Sequence, residues 1–343
     1  MADSELNSLC DLHDIIKEIG GEYTKLASEI DETETYVDTG SYIFNALVSG
    51  SIFGGVSGNK ITAIAGETST GKTFFSLAVV KNFLINNPTG YCLYFDTEAA
   101  ITKSILEGRG IDTTRLVVVN VVTIEDFRNK TLKAVDLYLK KSKDERRPCI
   151  FVLDSLGMLS TNKEITDTLA EKDTRDMTKA QLIKGAFRML TLKLGQANIP
   201  MIVTNHTYES MSLYGGKQMS GGSGLMYSSS TIIYLSKSKE KDAAGKEVIG
   251  NIIRAKTQKS RLSKENKQVE IRLYYDERGL DKYYGLLELG EIGEMWKNVA
   301  GRYEIDGKKL YAKEILKNPE KYFTEEVMEK LDVIAKGEFS YGK

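Results

Sequence analysis

The feature that most constrains this chain is an eight-residue stretch bounded by glycine and threonine, Gly66-Glu67-Thr68-Ser69-Thr70-Gly71-Lys72-Thr73. The apolar run at 61–65 precedes it, and a run with helical spacing at 74–86 follows it. This order predicts a buried strand, a tight loop and a helix, which is the context of the phosphate-binding pattern G-x4-G-K-[ST]. The glycines allow the backbone N–H groups to point at phosphate oxygens, and the helix N-terminus attracts anions.

The residue types in this stretch predict a bound nucleoside triphosphate with Mg²⁺. All eight residues are candidate nucleotide contacts. Lys72 is placed to reach the β- and γ-phosphates, and the Thr73 hydroxyl is placed to ligate the metal ion. An ordinary Gly-Ser-Thr turn before a helix is the alternative, but it does not account for the four pattern positions in this context. The pattern predicts binding and leaves the reaction open.

The length and composition are those of a globular protein rather than a membrane or secreted one. The chain has 343 residues and a net charge of −1, and no run of about 18 apolar residues. The three cysteines, Cys10, Cys92 and Cys149, lie far apart and lack metal-ligand spacing. These observations predict a cytoplasmic protein with reduced cysteines. Residues 1–38 are strongly acidic and residues 237–267 are basic. These two segments could meet between neighbouring subunits, or each could be a solvated surface without a partner.

Apolar runs and helical patterns alternate after the loop and predict an α/β fold with a mostly parallel sheet. The predicted strands are 91–95, 117–121, 150–153 and 201–204, and the helices between them are 74–86, 101–109, 124–142 and 178–195. Strands at 230–236, 248–256 and 268–275 follow without helices, so we expect an antiparallel edge. The predicted division is a helical N-terminal arm (1–35), a core (36–285) and a small C-terminal helical domain (286–343).

Acidic residues follow two of the predicted inner strands. Asp154 ends one strand, and we interpret it as a Mg²⁺ ligand or, alternatively, as an acid that caps a turn. Glu98 lies just past another strand, and we expect it to position or activate the water that attacks the γ-phosphate. Asp96 is more consistent with a structural role. His206 ends a third strand, where it could sense the γ-phosphate or make only a structural contact.

Two long connections, 156–177 and 205–229, follow the carboxyl ends of strands, where ligands bind in open α/β sheets. The second contains glycines, Tyr208 and Lys217, which fit a single strand of nucleic acid through stacking and phosphate contact. The first connection and the helix after it add basic candidates for the same interface, among them Arg175, Lys179, Lys184 and Arg188. A solvated helix face is the alternative for these cations.

Taken together, these stretches resemble the RecA/Rad51 strand-exchange recombinases, and within that family the recombinases of T-even-type bacteriophages most closely. The resemblance covers about residues 35–285 and is carried by the phosphate loop, Tyr94-Phe95-Asp96-Thr97-Glu98, Leu153-Asp154-Ser155-Leu156-Gly157, Asn205-His206-Thr207-Tyr208-Glu209, Gly221-Gly222-Ser223-Gly224-Leu225-Met226-Tyr227 and Lys259-Ser260-Arg261.

The resemblance implies a RecA-like core and a role for each matched position. Glu98 would activate water, and His206 would be the γ-phosphate sensor, which is a glutamine in bacterial RecA. Ile105 falls where RecA stacks a tyrosine on adenine, so base selectivity is left open. Residues 1–35 would be a polymerisation arm. The two long connections would bind DNA, and Lys259 and Arg261 would reach the ATP of a neighbouring subunit; the implied DNA contacts include Arg175, Lys184, Arg188, Gly221 and Gly222.

The expected function is that of a DNA-dependent ATPase in DNA recombination and repair. The protein would polymerise on single-stranded DNA as a helical filament and exchange strands with a homologous duplex, using ATP and Mg²⁺. A single-strand-binding protein and a loading mediator are expected partners, and a phage-encoded copy would act in the host cytoplasm. Two alternatives stay open at this point: a hexameric helicase of the same superfamily, and a non-enzymatic mediator that binds ATP.

Overall fold

A computed structural model describes residues 14–15, 18–20, 24, 26, 28, 35–172, 177–209, 217–242, 245–276, 278–305 and 307–342. The chain divides into two units between Thr35 and Tyr36. The predicted N-terminal arm lies for most of its length outside the described residues, so its helix and its role in polymerisation stay predictions. The second unit, 36–343, carries the elements named below.

The described strands and helices are numbered in chain order. The strands are β1 (Tyr36–Val37), β2 (Val56–Ser57), β3 (Ile61–Gly66), β4 (Tyr91–Asp96), β5 (Leu116–Asn120), β6 (Cys149–Asp154), β7 (Met201–Glu209), β8 (Lys217–Met219), β9 (Thr231–Lys241), β10 (Val248–Ser260), β11 (Gln268–Tyr274), β12 (Lys297–Val299), β13 (Arg302–Ile305) and β14 (Lys308–Tyr311). The helices are α1 (Tyr42–Ser49), α2 (Lys72–Asn86), α3 (Lys103–Gly108), α4 (Ile124–Leu139), α5 (Asn162–Leu169), α6 (Lys179–Ala197), α7 (Gly224–Ser228), α8 (Leu286–Ile292), α9 (Ala312–Lys317), α10 (Pro319–Tyr322) and α11 (Glu325–Phe339).

A large mixed sheet organises the second unit. Within the described residues it has nine strands, eight of them in the order β11-β10-β9-β3-β7-β6-β4-β5, while β8 pairs with β7 outside that order. The strands from β9 to β5 in that order are parallel, whereas β10 and β11 run antiparallel to their neighbours. The predicted α/β fold, with a mostly parallel sheet and an antiparallel edge, is therefore confirmed.

Side chains alternate between the two faces of the sheet and build two apolar cores. On one face Ile64, Val152 and Ile202 pack with α1 and α2. On the other face Ala63, Phe151 and Val203 pack with α4 and α6. Strands buried on both faces are typical of a parallel sheet between two layers of helices.

Three regions differ from the sequence expectation. The connection after β6 contains α5, and the one after β7 contains β8 and α7, so neither is an irregular loop throughout its described part. The helical spacing of the C-terminal residues does not predict the three-stranded antiparallel sheet β12-β13-β14, whose strands have only three or four residues each. Trp296 and Phe323 of this C-terminal part belong to the same apolar core as Leu47 and Phe75. The domain boundary at 285/286 stays a prediction.

None of the helices in the described part of the chain combines the length and the apolar character that crossing a bilayer requires.

Candidate functional site

Four neighbouring strands end at one edge of the sheet and bring the candidate polar groups together. In the strand register Gly66 of β3 lies beside His206 of β7, and Asp96 of β4 lies beside Asp154 of β6. Parallel strands place their carboxyl ends on the same side, so residues from four separate parts of the sequence meet here.

The phosphate loop closes through contacts among its own residues. Gly71 has a φ of 94°, in the left-handed region that favours glycine. A side chain at Gly66 would place its Cβ 2.6 Å from Thr70 Oγ1 and 2.8 Å from the Leu235 carbonyl oxygen. Thr70 Oγ1 donates to the carbonyl oxygen of Glu67 at 2.9 Å. The loop conformation therefore requires these two glycines for different reasons: backbone rotation at one and close approach at the other.

Lys72 is a buried cation at the start of α2. Within the described residues its hydrogen-bond acceptors are two carbonyl oxygens, of Gly66 at 3.0 Å and of Glu67 at 2.8 Å. Burial lowers the pKa of the Lys72 ammonium, while the charges of Asp154 and Glu98 act in the opposite direction. A buried ammonium held by neutral carbonyls at a helix N-terminus fits a bound anion such as a nucleotide phosphate.

Asp154 is buried and is held by two hydroxyl groups. Tyr94 donates its phenolic O–H to Oδ2 at 2.6 Å, and Thr204 donates to Oδ1. Burial, followed by the charge of Asp154, raises the pKa of Tyr94 well above its ordinary value, so the phenol stays a donor. The charge of Asp154 acts on Lys72, so this oriented carboxylate lies close to the phosphate loop and suits a Mg²⁺ site that the Thr73 hydroxyl, phosphate oxygens and water would complete.

Glu98 links three neighbouring strands, and His206 lies inside β7 rather than at its end as the sequence predicts, because β7 continues to Glu209. The Oε1 of Glu98 accepts a hydrogen bond from Ser155 Oγ at 2.9 Å and lies 3.5 Å from His206 Nε2. Thr97 supports this segment, since its Oγ1 accepts from the Ser155 backbone N–H at 2.7 Å. About a third of each of the Glu98 and His206 side chains is exposed (37% and 33%), so both can meet a ligand and water.

Asp96 binds the backbone of the segment that follows β4. It is buried, and its carboxylate accepts from the backbone N–H groups of Glu98 at 3.0 Å and Ile101 at 3.2 Å. These bonds shape the turn that presents Glu98, in agreement with the structural role that we expect for Asp96.

A cleft of about 890 Å³ opens beside the phosphate loop, and Ile105 lies on it with Ser69, Gly71 and Phe74. The guanidinium of Arg109 lies 4.4 Å from the centre of the Phe74 ring. The volume is within the range of small-molecule sites. Contact between Ile105 and a base stays a prediction.

The hairpin of β7 and β8 fixes the start of the second predicted DNA-binding connection. Asn205 donates from Nδ2 to the carbonyl oxygen of Ser220 at 2.8 Å and accepts from Ser220 Oγ at 2.6 Å. Gly221 and Gly222 have φ values of 84° and 76°. A Cβ at Gly221 would lie 2.8 Å from Ile183 Cδ1, so this turn rests directly on α6.

The predicted DNA-binding side chains are only partly brought together. Lys184 and Arg188 are exposed one turn apart on α6, and Lys184 Nζ lies 5.9 Å from the centre of the Tyr227 ring. Lys179 pairs with Glu164 at 3.5 Å, and Tyr208 is half exposed. Arg175 lies outside the described residues. Lys217 pairs with Glu67 of the phosphate loop at 2.6 Å, a contact that the sequence does not suggest.

The two cations expected to reach a neighbouring subunit lie at the end of β10. Lys259 donates to the carbonyl oxygens of Met226 at 2.7 Å and Ser229 at 2.8 Å and so caps α7. Burial, and then the neighbouring charge of Arg261, lowers the pKa of Lys259. The side chain of Arg261 is exposed.

Sequence reasoning missed several polar residues that hold the site, namely Tyr94, Thr97, Thr204, Asn205 and Ser220. One signal was available for two of them: Tyr94 and Thr204 are polar residues in otherwise apolar buried strands, where each hydroxyl needs a partner. The other three act through contacts that only the folded chain shows.

Comparison with known proteins gives consistent matches over this core. The family model described as the RecA N-terminal domain matches residues 10–281. The chain is 33% identical over 278 residues to the "Recombination and repair protein" of Enterobacteria phage T4, covering 81% of this chain and 69% of that protein. It is 25% identical over 292 residues to "Protein RecA" of Deinococcus radiodurans (84% and 76% covered) and 25% identical over 297 residues to that of Thermus aquaticus (83% and 84% covered).

Proposed function

The chain belongs to the RecA family of recombination proteins, and from that premise we propose that it is an ATP-dependent strand-exchange recombinase. It binds ATP and Mg²⁺ at the phosphate loop, polymerises on single-stranded DNA as a helical filament, and pairs that strand with a homologous duplex. ATP hydrolysis to ADP and phosphate releases the filament.

Each polar group at the sheet edge has a part in this proposal. The backbone N–H groups of the phosphate loop and Lys72 bind the phosphates, while Thr73 and Asp154 hold Mg²⁺. The bound ion neutralises charge that develops on the phosphate oxygens. Glu98 orients the attacking water and accepts its proton. His206 donates a hydrogen bond to the γ-phosphate, and Lys259 and Arg261 act on the nucleotide of the next subunit.

The observation that best supports this proposal is the position of Glu98. One of its oxygens contacts both Ser155, which follows Asp154, and His206, which starts the hairpin towards Gly221 and Gly222. The group proposed to act on water thus touches the strand that leads to the proposed DNA contacts. Lys179, Lys184, Arg188, Tyr208, Gly221 and Gly222 are proposed to bind DNA, as is Arg175 outside the described residues.

The proposed partners are single-stranded DNA, a homologous duplex and further copies of this chain, with a single-strand-binding protein and a loading mediator in the cell. The proposed location is the cytoplasm, or the host cytoplasm for a phage-encoded copy.

ATP turnover with and without single-stranded DNA, together with electron micrographs of the same mixtures, tests the function. We expect strong stimulation by DNA and helical filaments in the presence of a slowly hydrolysed ATP analogue. Closed rings and directional unwinding would support the hexameric helicase instead. Stimulation no greater than a few-fold, with no filaments, would contradict the proposal.

A further inference from the structure

Lys217 and Glu67 join two parts of the chain that sequence reasoning assigns to different ligands. The Lys217 ammonium donates to Glu67 Oε1 at 2.6 Å, across 150 positions of sequence. Glu67 belongs to the phosphate loop, whereas Lys217 is expected to contact DNA. The structure therefore places a predicted DNA-binding cation against the nucleotide site.

The sheet explains why these side chains meet. Lys217 of β8 lies opposite Glu209 of β7, and β7 runs parallel to β3, which ends at Gly66. The two segments therefore leave the same sheet edge side by side. The backbone N–H of Ser220 also donates to the carbonyl oxygen of His206 at 3.0 Å. Lys217 is thus held near the phosphate loop by its own strand.

The backbone of Glu67 also accepts two of the hydrogen bonds that hold the phosphate loop together. Its carbonyl oxygen accepts from Thr70 Oγ1 at 2.9 Å and from Lys72 Nζ at 2.8 Å. Its carboxylate carries a negative charge beside a site that suits an anion. The hydrogen bond and charge of Lys217 lower the pKa of Glu67, which is consistent with a favourable ion pair. Lys217 therefore offsets a charge that would repel phosphate, and it restrains the residue that holds Lys72.

We propose that Lys217 is a positioning residue for the nucleotide, which acts through Glu67 on the phosphate loop before any DNA is bound. This inference rests on the proposed ATP site and adds a residue to it. It differs from the sequence-based assignment, because a cation that serves only the DNA backbone would leave nucleotide affinity in the absence of DNA unchanged.

Nucleotide titrations without DNA test the inference. A fluorescent ATP analogue with Mg²⁺ is titrated into the full chain and into its Lys217→Met, Lys217→Arg, Glu67→Gln and Lys217→Met/Glu67→Gln variants. We expect Lys217→Met to weaken binding about two- to fivefold, as for other exposed ion pairs, and Lys217→Arg to bind nearly as well as the original chain. In the Glu67→Gln background the Lys217→Met change should have a smaller effect, because the contact is already lost.

An exposed ion pair elsewhere gives a matched control. Lys330 and Glu326 of α11 are also 2.6 Å apart, and Lys330→Met and Glu326→Gln should leave analogue affinity unchanged. The difference between the original chain and Lys217→Met should shrink as salt rises, because exposed charges are screened.

The results separate failure of this inference from failure of the proposed function. Equal effects of Lys217→Met in both backgrounds, or no effect on nucleotide with a loss of oligonucleotide affinity, would overturn the role of Lys217. Absence of analogue binding by the original chain would instead overturn the ATP site on which the role depends.

Discussion

The phosphate loop and the β7–β8 hairpin leave the same edge of the sheet but are stabilised in different ways. The loop is closed by hydrogen bonds among neighbours, from Lys72 and Thr70 to carbonyl oxygens at positions 66 and 67. The hairpin depends on residues that are distant in sequence: Ser220 binds Asn205, and Gly221 rests on Ile183.

This difference predicts that substitutions in the two regions will have different effects on folding and on ligand binding. A loop closed mainly by its neighbours should keep its fold when a distant contact such as that of Lys217 is lost, with only a few-fold change in nucleotide affinity, whereas a hairpin held by distant contacts should lose stability when one of them is removed. We therefore expect changes in the loop region to affect nucleotide chemistry with little effect on folding. Changes in the hairpin should affect stability and DNA binding together. The four predictions below test this separation.

Glu98→Gln, at the junction of the two regions, should have the largest effect. Loss of the base should lower ATP turnover by about 10²–10⁴-fold. Nucleotide affinity should be retained, because the phosphate loop is untouched. Phosphate release and analogue binding measure the two effects. Glu107→Gln, at an exposed ion pair with Lys103 on α3, is the control and should not alter turnover. Normal turnover by Glu98→Gln would show that another group positions the water.

Lys72→Met tests whether a substitution in the phosphate loop lowers activity without lowering stability. Removal of a donor aimed at developing phosphate charge should lower kcat/KM for ATP by about 10²–10³-fold. Thermal stability should change little, because the loss of two hydrogen bonds to carbonyl oxygens is offset by removing a charge whose burial is unfavourable and lowers its pKa. Steady-state ATPase assays and thermal unfolding provide the measurements. A large drop in Tm would mean that the loop depends on the ammonium to fold.

Asn205→Ala tests the hairpin side. The substitution removes the amide that donates to the Ser220 carbonyl oxygen. It also removes the Oδ1 that accepts from Ser220 Oγ and from the backbone N–H of His206. The free energy of unfolding should fall by about 1–3 kcal/mol, and affinity for single-stranded DNA should fall with it. Denaturant titration and oligonucleotide binding measure these effects. Asn129→Ala, on the exposed face of α4 where Oδ1 accepts from the neighbouring Arg128 side chain at 3.1 Å, should change stability by less than about 0.5 kcal/mol. Equal losses in both variants would contradict the comparison.

Arg188→Ala should have the smallest effect. If Arg188 binds one phosphate of a single strand, its loss should reduce the slope of log affinity against log salt by about 0.7. Arg147 is exposed just before the amino end of β6, at the edge of the sheet opposite the phosphate loop, and its substitution is the control that should leave the slope unchanged. A loss of affinity at constant slope would assign Arg188 a structural role.

Contiguous patterns made much of this fold predictable. The phosphate loop, the parallel strands and the placement of Asp154 and Glu98 at strand ends follow from runs of neighbouring residues. The hydroxyls of Tyr94 and Thr204 on Asp154 could not be predicted, because strand order decides which side chains meet. The sheet at 297–311 could not be predicted because strands of three or four residues are too short to show a clear alternation of apolar and polar residues. Lys217 was assigned to DNA from its local surroundings, which do not include Glu67.

The position of β3 in the sheet would hold the chain together even if the connection between β7 and β9 were cut. β3 lies between β7 and β9 and is parallel to both, so the connection that contains β8 and α7 returns from the carboxyl end of β7 to the amino end of β9. A single proteolytic cut between residues 209 and 217 would leave β7 and β9 each paired with β3. The two fragments should stay associated without a covalent link, which makes this position a natural place to split the protein into complementing halves.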